Sequence, residues 1–244
     1  MEHIGTPEID TRYWDHQDLP FDCAVDAQRG IIEEFVGRHV SETEAVYVSV
    51  ANGWLTPGGT NPDDIGKLLA CYGIPNHRVD GASIEQLAWE LYHGHKIVVG
   101  VDSGGLRDQD PLQATIHNLR EAFGLQPADH AIWVTGLDLS DPHHAKVIVN
   151  DSGDPHGAGK AYPLDRFLNA WKDSNFFYVA TDYAPPGHQG FDYGQGHYVG
   201  PTHDYFQQLP TAMSGFDSAW LHFEPNLSLP DLDEAQWDNI LVNV

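Results

Sequence analysis

The chain has 244 residues, 41% of them hydrophobic, and sets 12 Lys and Arg against 36 Asp and Glu for a formal charge of −24. Its length and apolar content suffice for a sizeable core. The charge argues against nucleic acid and anionic membrane as partners, because phosphates would be repelled, and leaves a basic or neutral partner as the better fit. The opening MEHIGTPEIDTRYW has no basic segment followed by an apolar run, and no stretch approaches the roughly 20 apolar residues of a membrane span. A cytoplasmic location is the expectation, and two cysteines provide no disulfide framework.

In chain order, the first predicted helix begins at or just after Cys23, where Ala24, Ala27 or Gln28, Ile31 and Phe35 recur at helical spacing. A second opens with Asn61 as cap, Pro62 in the first turn and Asp63 and Asp64 at the positive end, and stops at Gly73. Ser83 with Gln86 forms a capping box for IEQLAWELYHG, ended by Gly94. KIVVGV (96–101) then reads as a strand, followed by a helix opened by Asp110 and Pro111 and by the strands AIWVTGL (131–137), AKVIVND (145–151) and NFFYVA (175–180). PLDRFLNAW (163–171) makes a short helix before the last strand. Helices first and strands later predict an α+β domain rather than alternating βαβ units.

The predicted domain covers residues 1–182, and a C-terminal extension covers 183–244. The extension has no Lys or Arg, six Gly, six Pro and 10 of the 27 aromatics. So many aromatics are costly to leave in water, so the extension is expected to dock on the domain as long loops and to shape or cover a cleft.

Four residues carry candidate chemistry. Cys23 stands at a helix N-terminus, where unpaired N–H groups favour a thiolate, the nucleophilic form. The competing reading is that a cysteine simply packs in the core, and Cys71, inside LLACYGI, is assigned that role outright. Gln17, six residues before Cys23, can donate its amide N–H to a developing oxyanion, alongside the backbone N–H of Cys23. His130 opens an apolar strand and can take a proton from a thiol. Asp151 closes the next strand, and if the two strands pair as a hairpin it lies near His130, whose tautomer it would fix. Asn150 and Asp154 stay open as alternatives for that role.

Taken together, Gln17 before the Asp22-Cys23 pair, H-A-I-W-V-T-G from His130 and V-I-V-N-D-S from Val147 resemble the papain-like cysteine peptidases, most closely the C39-like family related to bacteriocin-processing peptidases. The resemblance covers about residues 10–182. Ala24 replaces the family's usual Gly after the Cys, and Asp151-Ser152 replaces its usual Asp-Pro. It implies a papain-like α+β fold, with an N-terminal helical part packed on a C-terminal antiparallel sheet. It also implies a hydrolase for peptide or amide bonds in which Cys23 attacks, His130 moves the proton, Asp151 orients His130 and Gln17 helps hold the oxyanion.

A peptide or protein is the expected substrate, and the mechanism needs no metal or other cofactor. The same residues suit deamidation or transamidation, and a non-catalytic C39-like binding module is a further alternative. A metal hydrolase is weighed against the lack of any H-E-x-x-H or C-x-x-C spacing. Oligomeric state and substrate specificity are not readable from the sequence.

Overall fold

The computed structural model describes residues 3–106, 129–141 and 143–187. Both the helix expected at Asp110 and nearly all of the 183–244 extension lie outside the described residues.

The described elements are β1 (His3–Gly5), α1 (Pro7–Asp10), α2 (Cys23–Val36), α3 (Glu42–Ala51), β2 (Leu55–Thr56), β3 (Gly59–Thr60), α4 (Lys67–Cys71), β4 (Asn76–Val79), α5 (Ile84–Tyr92), β5 (Ile97–Val101), α6 (Ser103–Leu106), β6 (His130–Asp138), β7 (Lys146–Asn150), β8 (Lys160–Pro163), α7 (Leu164–Lys172) and β9 (Tyr178–Thr181). Strands β4-β9-β5-β6-β7-β8 hydrogen-bond in that order, and every pairing is antiparallel. β1 joins the far end of β6, continuing the line of β5. The arrangement is the α+β one expected, with an early helical part against a later antiparallel sheet.

Helix α2 forms the centre of the helical layer. Ala24, Ala27 and Ile31 share a buried cluster with Val98 of β5, Ala131 and Trp133 of β6 and Val179 of β9, so the helix lies on that face of the sheet. The close approach depends on Gly30: a Cβ there would sit 2.7 Å from the carbonyl oxygen of Tyr13 and 3.1 Å from the Trp133 ring. Because strand side chains alternate, Ile97, Val99 and Val101 face the other side, where α5 and α7 pack, and β5 is buried on both faces. Lys96, at the mouth of β5, is buried with its ammonium on Asp10 (2.5 Å) and Glu34 (3.1 Å), tying α1 and α2 to the sheet.

The predicted boundaries hold closely at α2, at α5 with its Ser83–Gln86 capping box, at β5, β6 and β7, and at α7. Two readings are corrected. The helix expected from Pro62 to Tyr72 is a single 3₁₀ turn, Pro62–Asp64, and then the separate α4. Gly66 interrupts it at φ +98, a left-handed conformation held by Gln28 Oε1 accepting from its N–H and Asn76 Nδ2 donating to its carbonyl. Cys71 is exposed rather than packed, because short α4 buries Leu68 and Leu69 and turns its last residue outward.

Candidate active site

Chain order separates the site residues widely, and the hairpin brings two of them together. β6 and β7 pair with Trp133 opposite Asn150, so Asp151 follows at the end of β7 beside the start of β6. From there its Oδ1 meets His130 Nε2 at 2.7 Å. Asp151 is completely buried. Its carboxylate also accepts from the Gly153 N–H (3.1 Å) and the Tyr162 hydroxyl (3.4 Å), and its backbone oxygen accepts from Trp14 Nε1 (3.0 Å). Gly157 closes the turn behind it, donor and acceptor meeting where Asp151 N donates to Gly157 O. No side chain fits at 157, since a Cβ would lie 1.8 Å from the Asp151 oxygen.

With Nε2 donating to the carboxylate, Nδ1 is the ring nitrogen that can serve the neighbouring thiol of Cys23. Cys23 is the first residue of α2, partly buried against the core beneath it. Burial pushes its thiol up, but the His130 hydrogen bond and charge, with the N–H groups of Ala131 and Ala24, outweigh that and hold it below the ordinary thiol value. Burial likewise disfavours a charged His130, yet Asp151 on one side and Cys23 on the other raise it to about 9. Both shifts favour the thiolate–imidazolium pair.

The two alternatives to Asp151 are engaged elsewhere. Asn150 Nδ2 donates to Asp10 O (2.8 Å) and its Oδ1 accepts from Gly159 N (3.1 Å). Asp154 pairs with Lys160 Nζ at 2.5 Å.

Gln17 lies on a cleft of about 460 Å³ lined also by Asp18, Leu19, Ser103, Asp129 and His130. Its backbone N–H donates to Ser152 O (3.0 Å), its Oε1 accepts from Ser152 Oγ (3.0 Å), and its Nε2 donates to Leu19 O (2.6 Å). One of the two Nε2 hydrogens is used in that last bond.

Sequence reasoning passed over Asp22. It is fully buried next to Cys23, and among the described residues its carboxyl oxygens receive no hydrogen bond. Burial, then the neighbouring carboxyl of Glu42 and the charges of Glu42 and Asp26, raise it to about 8. Burial and the neighbouring carboxyls thus favour the neutral form of Asp22 beside Cys23. Glu42 in turn accepts from the Asp18 N–H (2.9 and 3.1 Å), steadying the strand of chain that carries Gln17.

Among the described residues no three His, Cys, Asp or Glu side chains converge as a metal-binding set, and no helix is long and apolar enough to cross a membrane. A helix-borne thiol, an imidazole and a buried carboxylate in sequence define the arrangement of a cysteine hydrolase. The chain belongs to the Peptidase_C39 like family, which matches residues 34–178. That span contains His130 and Asp151 and begins after Gln17 and Cys23.

Similar proteins include uncharacterized proteins of Mycobacterium tuberculosis and Mycobacterium bovis, each 28% identical over 203 residues, covering 72% of this chain and 83% of the relative. Among solved structures, a Bacillus anthracis chain described as C39-like aligns at a TM-score of 0.48 and 13% identity, over 74% of this chain and 98% of that one. The peptidase domain of Streptococcus ComA, a bi-functional ABC transporter involved in quorum sensing, aligns at 0.47 and 14%, over 70% and 97%.

Proposed function

We propose that this chain is a cysteine-dependent hydrolase of peptide or amide bonds. The observation that carries the reading is His130 held at 2.7 Å by the buried carboxylate of Asp151 and near enough to Cys23 that each shifts the other's titration. The Cys23 thiolate attacks the carbonyl carbon and a C–S bond forms, the charge passing to the carbonyl oxygen. Gln17 and the Cys23 backbone N–H are assigned to that oxyanion. As the C–N bond breaks, the His130 imidazolium gives its proton to the departing amine. Water then attacks the thioester, His130 takes its proton, the C–S bond breaks and the acid leaves. Asp151 keeps the imidazole in the tautomer that both steps need.

A peptide or protein with neutral or basic residues near the scissile bond is the expected substrate. Asp18 and Asp129 are in the cleft lining, which among the described residues includes neither Lys nor Arg. The test is iodoacetamide labelling of a Cys71→Ser variant at pH 6, where an ordinary thiol is almost wholly protonated. Cys23 is expected to label at least about a hundredfold faster than in the same variant carrying His130→Ala. Equal rates would contradict the reading.

A further inference from the structure

Gln17 can serve an oxyanion only if the nitrogen end of its amide faces the cleft, and an amide turned over by half a rotation presents an acceptor there instead. Building on the proposed function, we infer that Ser152 is the positioning residue that anchors the Gln17 amide at the cleft, with the Leu19 carbonyl setting which end is the nitrogen. Ser152 is buried, and it grips Gln17 twice: its carbonyl accepts from the Gln17 backbone N–H at 3.0 Å, and its hydroxyl donates to Gln17 Oε1 at 3.0 Å. On the opposite end of the amide, Nε2 donates to Leu19 O at 2.6 Å. The Leu19 carbonyl can only accept, so it takes the nitrogen end of the amide and would repel Oε1, while the Ser152 hydroxyl holds the oxygen end in place. The second Nε2 hydrogen is thereby kept on the nitrogen end, in a side chain that lines the same cleft as His130.

The position of Ser152 adds to the argument. It directly follows Asp151, so one short turn orients both the base, through the Asp151 carboxylate, and the oxyanion donor, through the Ser152 hydroxyl. The Pro that stands here in the related Asp-Pro pattern offers no hydroxyl, so this way of holding Gln17 is a property of this chain's own sequence.

The test exploits two reactions of the same sulfur. Alkylation by iodoacetamide is a direct displacement in which no oxyanion forms. Acylation by p-nitrophenyl acetate passes through a tetrahedral oxyanion before p-nitrophenolate departs. In the Cys71→Ser background, Ser152→Ala is expected to slow acylation about tenfold and Gln17→Ala about a hundredfold, with Cys23 alkylation unchanged in both. Adding Ser152→Ala to Gln17→Ala should cost nothing further, since the hydroxyl acts only through the amide.

Three results would overturn the assignment. They are acylation by Ser152→Ala at the parent rate, a parallel fall in alkylation and acylation, or a further tenfold loss in the double variant. A parent protein whose Cys23 alkylates no faster than in His130→Ala would instead overturn the proposed function, and the assignment with it.

Discussion

Asp151 and Glu90 are buried carboxylates that each hold histidine, and they do so in opposite senses. At one end of β6, His130 is the central group, with Asp151 on Nε2 and Cys23 on the other side. Around α5, Glu90 is the central group, accepting from the Tyr178 hydroxyl (3.0 Å) and facing His77 Nε2 (3.0 Å) and His95 Nδ1 (2.5 Å). His77 also meets Asp182 through Nδ1 at 2.8 Å, which uses both of its ring nitrogens on carboxylates. An imidazole committed to two carboxylates has no nitrogen left for a nucleophile. A His–carboxylate pair therefore says little about function until the partner of the second ring nitrogen is known. Beside His130 stands a thiol at a helix start, the pair proposed here for proton transfer. At Glu90 the same groups tie α5 to β4, β5 and β9.

The comparison breaks most sharply by removing the imidazoles. His130→Ala should lower Cys23 labelling at pH 6 by at least about a hundredfold, while His77→Ala and His95→Ala leave it unchanged. Loss of labelling in the latter two would mean that the clusters are coupled. Next come the carboxylates. Asp151→Asn is expected to reduce acylation roughly tenfold to a thousandfold by disturbing the His130 tautomer. Glu90→Gln should leave acylation intact and cost about 1–3 kcal/mol of stability through its buried partners, visible as a Tm lowered by several degrees.

Gly157→Ala falls between the clusters in kind. Its Cβ meets the Asp151 backbone, so about 2 kcal/mol or more of stability and most of the acylation rate should be lost together.

pH sharpens the contrast further. The His130 imidazolium needed to protonate a leaving group persists until its value of about 9, so acyl transfer should fall as pH rises through that point. Glu90 is lowered: burial opposes its charge, and His95, His77 and Tyr178 outweigh burial. Its stabilisation is present above the ordinary carboxylate value of about 4.3 and is lost as pH falls through the lowered one. For His77, burial is outweighed by Asp182 and Glu90, so it is raised. Its contribution is full below about 6.5 and is lost as pH rises through the raised value. Chemical denaturation of Glu90→Gln across pH should thus show its largest deficit between about 4.5 and 6.5.

Asp22 bears on stability rather than on labelling. The folded state holds its proton up to about 8 whereas the unfolded chain releases it near about 3.9, so Asp22 makes stability decline as pH rises across that window. Asp22→Asn should remove that decline, and an unchanged slope would reject the assignment.

Much of the candidate cluster was legible because it depends on local rules. The helix beginning at Cys23 follows from apolar spacing, and the neighbourhood of His130 and Asp151 follows from two strands joined as a hairpin. What escaped depends on contacts remote in sequence or on weak patterns. Ser152 and Gln17 are 135 positions apart, and nothing in either segment announces the other. Helix α3, unassigned from sequence, buries only Ala45 and Ser49 and leaves Tyr47 and Val50 exposed, so ETEAVYVSVA carries no clear apolar stripe. Its Ser41 cap is the signal that was there to read. Cys71 was misassigned because LLACY looks uniformly apolar, and the break at Gly66 that shortens α4 rests on Gln28 and Asn76.

The central claim is that His130 makes Cys23 a thiolate. The most direct measurement is the pH dependence of iodoacetamide labelling of Cys23 in the Cys71→Ser protein, with and without His130→Ala. A midpoint below the free-thiol value of about 8.5 is expected, moving up towards it when His130 is removed. A midpoint at the free-thiol value in both proteins would contradict it.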